Sequence, residues 1–257
     1  MISPLAYVNP EAKLGRDVTV EPFAYIDRDV EIEDGCTVMA HASVLAGTRM
    51  GKNNRVFQGA VLGAVPQDFR FRGAETFLRI GDDNIFRENV VINRATNAGN
   101  STVIGNGNFV LEGVHISHGS RVGDNCVFGY GTKIAGDCII ESCAIFSTSV
   151  ILDQGCRVGR LSMIQGGCHA NRDVPPYIIA ARHPISYYAV NTVVLKQEGF
   201  SDEMLAHIAQ AYSLIYQCNT SVEDAMIRIR EQIPPDEAID VILEFIRESR
   251  RGIIKYK

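Results

Sequence analysis

The stretch EGVHISHGSRVG, Glu112–Gly123, contains the pattern that decides the fold. Ile116 and Val122 lie six residues apart within it, and the same spacing of apolar residues recurs on both sides. His115 and His118 flank Ile116, and no other two histidines in the chain are this close together. The stretch therefore joins a six-residue repeat to a pair of imidazoles.

Apolar side chains recur every six residues over much of the chain, interrupted twice, and all 23 of the repeating positions are apolar. These register positions are Leu14, Val20, Ile26, Ile32, Val38, Val44, Met50, Val56, Leu62, Ile80, Phe86, Ile92, Ile104, Val110, Ile116, Val122, Phe128, Ile134, Ile140, Phe146, Leu152, Val158 and Ile164. A period of six fits neither the 3.6 residues per turn of an α-helix nor a multiple of it.

The six-residue period is instead typical of short, stacked β-strands. Six is a multiple of the strand period of two, so every register side chain points to the same side, toward an interior. Gly, Asn and Asp between the strands favour a turn after each hexad. Three hexads then close one triangular coil, and parallel pairing stacks the coils about 4.8 Å apart. We therefore expect a mainly β prism of about seven or eight coils, roughly 35 Å long.

The two interruptions, residues 63–79 and 95–101, must loop out, because neither can be threaded through a packed coil. The first carries Gln67, Asp68, Arg70 and Arg72 beside two phenylalanines. Binding groups gather on loops that a rigid scaffold positions, so we favour a functional loop. The alternative is a solvated excursion that covers a contact between subunits.

The period becomes helical near the C-terminus. Ser201 is a candidate N-cap, with Asp202 and Glu203 in the first turn, Ser221 with Asp224 is a second, and Pro235-Asp236 indicates a third helix start. Leu205, Ile208, Ala211 or Tyr212, and Ile215 form the apolar stripe of the first of these helices. We expect residues 1–190 to form the β-prism and 191–257 a helical domain that covers its open end.

Composition restricts the class of protein. The net charge of −5 over 257 residues argues against a nucleic-acid binder. No run approaches the roughly 18 apolar residues of a membrane-spanning helix, and the N-terminal segment lacks a signal peptide pattern. We therefore expect a cytoplasmic protein without membrane insertion. The seven cysteines form no CxxC pair. Five of them occupy one slot of the hexad and are expected to be small buried side chains: Cys36, Cys126, Cys138, Cys156 and Cys168.

The histidine pair is the candidate for chemistry. Since Ile116 faces inward, alternation sends His115 outward, and His118 falls near a corner, so we expect both at the surface. Histidine is the natural general base for a hydroxyl. Spacing alone favours two solvated imidazoles. A zinc site needs three or four ligands, and His-x-x-His supplies two, so we expect no metal.

Specific motifs extend the pattern. The chain contains EGVHISHGSRVG, the loop GAVPQDFRFRG, DVPPYIIA at Asp173–Ala180, VN at 190–191, GFS at 199–201, AYSLIY and the C-terminal RGIIK. In these motifs it resembles, over its whole length, the acyl-ACP:UDP-N-acetylglucosamine O-acyltransferases, hexapeptide-repeat enzymes that perform the first acylation in lipid A synthesis. The resemblance implies a left-handed parallel β-helix with a C-terminal α-helical domain, and a homotrimer.

The resemblance also implies roles for particular residues. His118 corresponds to the general base that deprotonates the sugar 3-hydroxyl, and His115 to a histidine that helps to position substrate. The other implied contacts are Gln67 and Asp68 near the acceptor sugar, Gln154 and Asn191 on the nucleotide sugar, and the Gly136 N–H for the oxyanion. No cofactor is expected to be bound tightly, since acyl carrier protein delivers the acyl-phosphopantetheine.

Acyl carrier protein is acidic, so a basic surface should receive it. Two sequence clusters are candidates, with solvated faces as the alternative: Arg70, Arg72, Arg79, Arg87 and Arg94, and Arg247, Arg250, Arg251, Lys255 and Lys257.

The chain departs from the family pattern in three places. The family usually has Asp after the catalytic histidine, where this chain has Gly119. It usually has His-Gln-Phe where this chain has Asp153–Gly155, and an Arg pair where this chain has Gln197 and Glu198. Losing the aspartate should slow His118. An anion in place of the arginines should weaken phosphate recognition.

These departures leave alternatives to ordinary family activity. The first is acyl transfer to a different sugar nucleotide, which the altered pair at 197–198 would favour. The second is a homologue without catalysis that binds carrier protein or partner subunits, which Gly119 and Asp153 would favour. A trimeric metalloenzyme is the third.

Overall fold

Three parallel sheets form the walls of a prism in the computed structural model, which describes residues 1–218 and 220–256. Sheet 1 contains, in spatial order, β1 (Tyr7–Val8), β4 (Tyr25–Ile26), β7 (Ser43–Val44), β10 (Val61–Ala64), β13 (Val91–Asn93), β16 (His115–Ile116), β19 (Lys133–Ile134), β22 (Ile151–Leu152) and β25 (His169–Ala170). Sheet 2 contains β2 (Lys13–Leu14), β5 (Glu31–Ile32), β8 (Thr48–Met50), β11 (Phe77–Ile80), β14 (Ser101–Ile104), β17 (Arg121–Val122), β20 (Ile139–Ile140) and β23 (Arg157–Val158). Sheet 3 contains β3 (Thr19–Val20), β6 (Thr37–Val38), β9 (Arg55–Val56), β12 (Ile85–Phe86), β15 (Phe109–Val110), β18 (Val127–Phe128), β21 (Ile145–Phe146), β24 (Met163–Ile164), β26 (Ile178–Ala181) and β27 (Ser186–Val190).

Consecutive strands in the chain visit the three sheets in turn, so each coil stacks directly on the one before. Paired residues such as Ser43 and Val61 lie 18 residues apart in regular coils. The separation is 30 residues across the first loop and 24 across the second. Strand residues end at 64 and resume at 77, and they end at 93 and resume at 101. The predicted mainly β, parallel β-helical fold is confirmed.

The register positions build the core, as predicted. All of them are buried except Leu14, which lies in the first coils and is half-buried. The rings of Phe128 and Phe146, one coil apart, stack with centroids 4.9 Å apart. The five cysteines of the repeat are also buried, which confirms their expected role as small core side chains.

The turns between strands use the left-handed backbone region, which glycine and Asx residues enter at least cost. At one turn position, glycine in one coil is followed by an Asx residue in the next. Gly119 (φ +69°) and Asp137 (φ +60°) form such a pair, 18 residues apart. The backbone of Asp137 also bonds to the residue before Gly119, since the Asp137 N–H donates to the His118 carbonyl at 2.9 Å. A stacked pair therefore lies beside the histidine motif.

The end of the prism was only partly predicted. Beyond Ile164 the sheets continue through β25 and β26, and β27 then pairs antiparallel with β26. The helices that follow are α1 (Thr192–Gln197), α2 (Asp202–Tyr216), α3 (Val222–Gln232) and α4 (Glu237–Glu248). The two predicted N-caps and the third predicted helix start are confirmed, because the side chains of Ser201, Ser221 and Asp236 accept hydrogen bonds from backbone N–H groups of the first turns. Helix α1 was not predicted.

The C-terminal tail ties the helices to the prism. Asp173, 1% exposed, accepts hydrogen bonds from the Arg157 N–H at 2.8 Å and the Ser249 hydroxyl at 2.6 Å. The backbone N–H of Ile254 also donates to the Asp173 carbonyl at 2.9 Å. Within the described residues, no helix combines the length and the apolar content needed to cross a bilayer.

Candidate active site

One corner of the prism, between sheets 1 and 2, collects the residues implicated by sequence. His118 lies there between β16 and β17, and Gly136 and Asp137 follow one coil later, between β19 and β20. Gln154 lies between β22 and β23. Both loops also leave the prism at this corner, because they connect β10 to β11 and β13 to β14. Stacked coils and loops thus converge on His118.

His118 is buried, with 7% of the residue exposed, so the expectation of a surface position for both histidines was wrong for this one. Its ring packs directly on Gly136, where a β-carbon would lie 2.4 Å from the ring carbon Cε1. Only glycine leaves room for the imidazole there. A polar cavity of about 220 Å³, lined also by Arg70, Asn100 and Arg121, adjoins the ring.

Asp68 reaches the ring from the first loop. Its side chain is 5% exposed, and its Oδ2 lies 3.6 Å from Nε2 of His118. Arg70 holds the carboxylate in place, donating from its guanidinium at 2.7 Å and from its backbone N–H at 2.9 Å. These hydrogen bonds lower the pKa of Asp68 to about 2. An anion therefore faces Nε2 at neutral pH.

Asp137 approaches the ring from the opposite side. Its Oδ1 lies 4.0 Å from Nδ1 of His118, and that nitrogen is buried without a hydrogen-bond partner among residues 1–218 and 220–256. The other carboxylate oxygen accepts from Nε2 of Gln154 at 3.0 Å. The Asp137 side chain is 53% exposed, which leaves it able to turn. The imidazole therefore lies between two carboxylates.

His115 is half-buried and bonded to Asn93, with Nε2 and Oδ1 2.6 Å apart. The Asn93 amide NH₂ donates to the Val65 carbonyl at 2.8 Å, so its oxygen faces the imidazole. We assign the proton of His115 to Nε2, since only a donor satisfies that oxygen. Burial lowers the pKa of His115, and the charges of Lys133 and His118 add to the effect. His115 is therefore neutral at pH 7.

The adjacent thiol is no nucleophile. Cys138 follows Asp137 in sequence, but it is fully buried and its Sγ donates to the Asp153 carbonyl at 3.2 Å. Burial raises the pKa of Cys138 to about 12, so the reactive thiolate is absent near neutrality. Nor do three or more His, Cys, Asp or Glu side chains meet as metal ligands anywhere in the described ranges.

Two of the predicted substrate contacts lie apart from one another. Gln67 is exposed on the first loop, next to Asp68 and therefore beside His118. Asn191 follows β27 in sheet 3, where it is 2% exposed and its amide donates to the Leu161 carbonyl at 3.0 Å. It thus lies away from the corner that holds His118. Gln197 and Glu198, both exposed, lie at the other end of the helix that Asn191 starts.

Ion pairs already engage part of each basic cluster, since Arg247 of the second is bonded to Glu244 at 3.1 Å. In the first, Arg70 and Arg87 form ion pairs with Asp68 and Glu88. The second borders a groove of about 860 Å³ that runs from Asp137 to Arg247 and Arg250. Lys257, which was assigned to this cluster, is outside the described residues. The groove links the histidine corner to the basic tail.

Sequence reasoning missed Asn93, which is bonded to His115, and Asp137, which lies 4.0 Å from His118. Asp137 could have been found by counting one 18-residue coil from Gly119, because coils are regular beyond the second loop. Asn93 carries no comparable signal, since its contact with Val65 depends on the path of the first loop.

Comparison with known families agrees with this geometry. Residues 173–254 match the model of domain 2 of UDP N-acetylglucosamine O-acyltransferase. Residues 101–136 match that of the bacterial transferase hexapeptide, which comprises six repeats. The prism and the helical region are thus recognised separately.

Full-length relatives agree as well. The acyl-[acyl-carrier-protein]–UDP-N-acetylglucosamine O-acyltransferase of Syntrophobacter fumaroxidans is 34% identical, over 99% of each chain. The enzyme of that name from Xanthomonas euvesicatoria is 36% identical, over 99% of this chain and 98% of its own. The crystal structure of a UDP-N-acetylglucosamine acyltransferase from Bacteroides fragilis superposes with a TM-score of 0.98 at 49% identity, covering 99% of this chain and 100% of that one. The chain therefore belongs to the acyl-ACP:UDP-N-acetylglucosamine O-acyltransferase family.

Proposed function

We propose that the protein transfers a 3-hydroxyacyl group from acyl carrier protein to the 3-hydroxyl of UDP-N-acetylglucosamine, the first acylation of lipid A biosynthesis, with His118 as general base. The observation that carries the base assignment is the environment of the ring. His118 is held against Gly136 between two carboxylates, with Nε2 turned toward the loop that bears Asp68.

The reaction needs one proton acceptor and one oxyanion donor. Nε2 of His118 takes the proton of the sugar 3-hydroxyl while its oxygen attacks the thioester carbonyl. The N–H of Gly136, next to the ring, stabilises the negative charge on the tetrahedral oxygen. Collapse breaks the carbon–sulfur bond, and the departing pantetheine thiolate takes the proton from the imidazolium. No covalent enzyme intermediate, metal or tightly bound cofactor enters this scheme.

Residues near the corner that holds His118 would make the substrate contacts. Gln67 and Asp68 would contact the acceptor sugar, since the first loop brings them beside Nε2. His115 would position the same substrate through its ring nitrogen Nδ1, because Nε2 is engaged by Asn93. Gln154, bonded to Asp137, lies one coil above Gly136 and would contact the nucleotide sugar.

Asn191, which the family resemblance assigns to the nucleotide sugar, would require a site shared between copies of the chain. It follows sheet 3, while His118 lies where sheets 1 and 2 meet. One bound nucleotide sugar could contact both residues only if a neighbouring prism supplied one of them. A homotrimer with its sites in the grooves between subunits meets this requirement. The carrier protein, being acidic, would dock near Arg247 and Arg250, where the groove from Asp137 opens.

An assay of acyl transfer from 3-hydroxyacyl carrier protein to UDP-N-acetylglucosamine tests the proposal. The native protein should form product, and His118→Ala should lose about 10²–10⁴-fold in kcat, the usual contribution of a general base. His41→Ala is the matched control, because His41 is exposed and stacks on Phe23 away from this corner. Equal rates for the native protein and His118→Ala would refute the assignment.

A second candidate keeps the chemistry and changes the acceptor. The observation behind it is Glu198, an exposed anion at the C-terminal end of α1, where the family usually has a cation. Such an anion repels a diphosphate. A panel of sugar nucleotides with different diphosphate-linked bases and sugars distinguishes the two candidates: a higher kcat/KM for one other than UDP-N-acetylglucosamine would favour the second.

A further inference from the structure

The carboxylate of Asp137 occupies the space that a side chain on residue 119 would fill. A β-carbon added to Gly119 would lie 2.2 Å from Oδ1 of Asp137. Gly119 directly follows His118, so this space adjoins the imidazole. The chain thus has no side chain after the histidine, and a carboxylate from the next coil takes the place beside the ring.

The left-handed backbone at this kind of turn accepts aspartate and asparagine alike, since Asp17 and Asp83 adopt it elsewhere as Asn53 does, so what distinguishes Asp137 is the group that its carboxylate faces. The arrangement recurs at three other stacked turns, where a β-carbon on glycine would meet an asparagine oxygen at 2.4 Å. Those pairs are Gly35 with Asn53, Gly59 with Asn89, and Gly107 with Asn125. Only the pair beside His118, among these four, carries an acid instead of an amide.

The ring nitrogen on this side lacks a partner. Nδ1 of His118 is buried and accepts or donates no hydrogen bond within the described residues, a costly state for a polar atom. Asp137 Oδ1, 4.0 Å away, is a charged acceptor beside it, beyond hydrogen-bond range by about 1 Å. Because the side chain is 53% exposed, a small rotation closes the gap, and such contacts commonly tighten when substrate binds.

We propose that Asp137 is the positioning residue of this enzyme. Reaching back from the next coil, it accepts the Nδ1 proton of His118, fixes the tautomer with a free Nε2, and stabilises the imidazolium that forms in the reaction. The inference rests on the proposed role of His118 as base. It assigns to Asp137 the part that an aspartate directly after the histidine would otherwise play.

Other charged groups around the imidazole do not fill this role. Asp68 faces Nε2, the nitrogen that must stay free, and its charge is already paired with Arg70. In the part of the chain that the structure describes, the remaining ionisable side chains near the ring are His115, which is neutral, and Arg121, a donor that cannot accept a proton. Asp137 is therefore the acceptor available to Nδ1.

Asp137 could be present for its backbone preference at the turn or for its charge beside Nδ1. Asp137→Asn distinguishes these two explanations, because asparagine retains the shape and backbone preference of the residue and removes the charge. We expect kcat to fall about tenfold or more, since an amide can present its NH₂ to Nδ1 and favour the wrong tautomer. KM for both substrates and the melting temperature should stay unchanged. Asn125→Asp, the reverse exchange at an equivalent stacked turn away from the ring, should leave kcat unchanged. Native kcat in Asp137→Asn, or a loss confined to KM, would overturn the inference.

Transferring the carboxylate provides an independent test. Gly119→Asp combined with Asp137→Gly moves the acid to the histidine's own coil, and aspartate tolerates the left-handed backbone at 119. We expect this double variant to be several-fold more active than Asp137→Gly alone. Activity no higher than that of Asp137→Gly would count against a carboxylate acting on Nδ1. The outcome for His118→Ala is separate: full activity there would refute the base assignment itself, whatever Asp137 does.

Discussion

Gly136 and the imidazole of His118 share one space: a β-carbon on Gly136 would lie 2.4 Å from Cε1 and 2.6 Å from Nε2 of the ring. The next coil therefore sets the ring's position on one side, while the first loop covers it with Asp68. This packing explains why a histidine at a strand corner is buried and still faces a polar cavity.

Gly136→Ala should displace the ring and lower kcat about a hundredfold, because a shift of about 1 Å in a reacting group can cost that much. The clash involves a side chain, so the fold should persist, which circular dichroism can verify. Gly131→Ala is the control: φ of +69° is unfavourable for alanine, but its β-carbon would meet nothing closer than 3.5 Å. Near-native kcat in Gly136→Ala would show that the ring does not need this position.

His115 should make stability depend on pH in the mildly acidic range. Its pKa in the folded protein lies below the ordinary 6.5, so the unfolded chain binds the proton more tightly. The contribution of His115 to the free energy of unfolding should be constant above about pH 6.5. It should fall as the pH drops through the pKa that His115 has in the folded protein. Urea unfolding of the native protein and His115→Gln between pH 5 and 8, at one protein concentration, measures the difference.

His115→Gln should make the free energy of unfolding depend less on pH in this range. Carboxyl groups with lowered pKa values, such as Asp68, contribute only at lower pH, below about 4. Their titration therefore does not overlap the pH range in which His115 affects stability. Parallel profiles for the native protein and His115→Gln would contradict the prediction.

The prism could be predicted from sequence because its rule is local and repeated. The apolar residue at every sixth position identifies the side chains that point into the prism, and the burial of positions such as Ile116 and Phe146 follows from that alone. The helix caps at Ser201 and Ser221 could be predicted for the same reason, since a cap depends on a few adjacent residues.

The site could be predicted only in part, because it depends on what stacks at the corner. Alternation along a strand stops where the chain turns, so it could not reveal the burial of His118. The contact of Asp68 with the ring depends on the path of a loop with no repeat. Strand β27 was missed because it pairs antiparallel, outside the hexad rule. The position of Asp137 could have been predicted, because it lies one coil after Gly119 once the coil length is known.

Phe128→Ala should lower the free energy of unfolding by about 3–5 kcal/mol, the usual cost of removing a buried aromatic ring. Phe128 is fully buried and stacks on Phe146, so its neighbours in adjacent coils cannot easily collapse into the cavity. Ile139→Ala, at a position 41% exposed, should cost less than about 1 kcal/mol. Denaturant unfolding compares the two. Equal losses would mean that the stacked core does not carry the stability of the prism.

The end of α1 provides the test of nucleotide recognition. Glu198 is exposed at the C-cap of this helix, where the helix dipole already disfavours an anion, and Gln197 precedes it. Replacing both with arginine restores the pair that the family usually has and offers two guanidinium forks to a diphosphate. We expect KM for UDP-N-acetylglucosamine to fall about tenfold, equivalent to about 1.4 kcal/mol, with kcat unchanged. Because the pair is exposed, the gain should shrink as salt rises.

Glu203→Arg combined with Gln210→Arg is the matched control for this double variant, since it changes the net charge by the same three units at exposed positions of α2. It should leave KM unchanged, because a charge effect without direct contact is weak at physiological salt. An unchanged KM in the arginine double variant would mean that this helix end does not contact the acceptor's phosphates. The acceptor would then have to be recognised through the corner of His118, where Arg70 and Arg121 border the cavity.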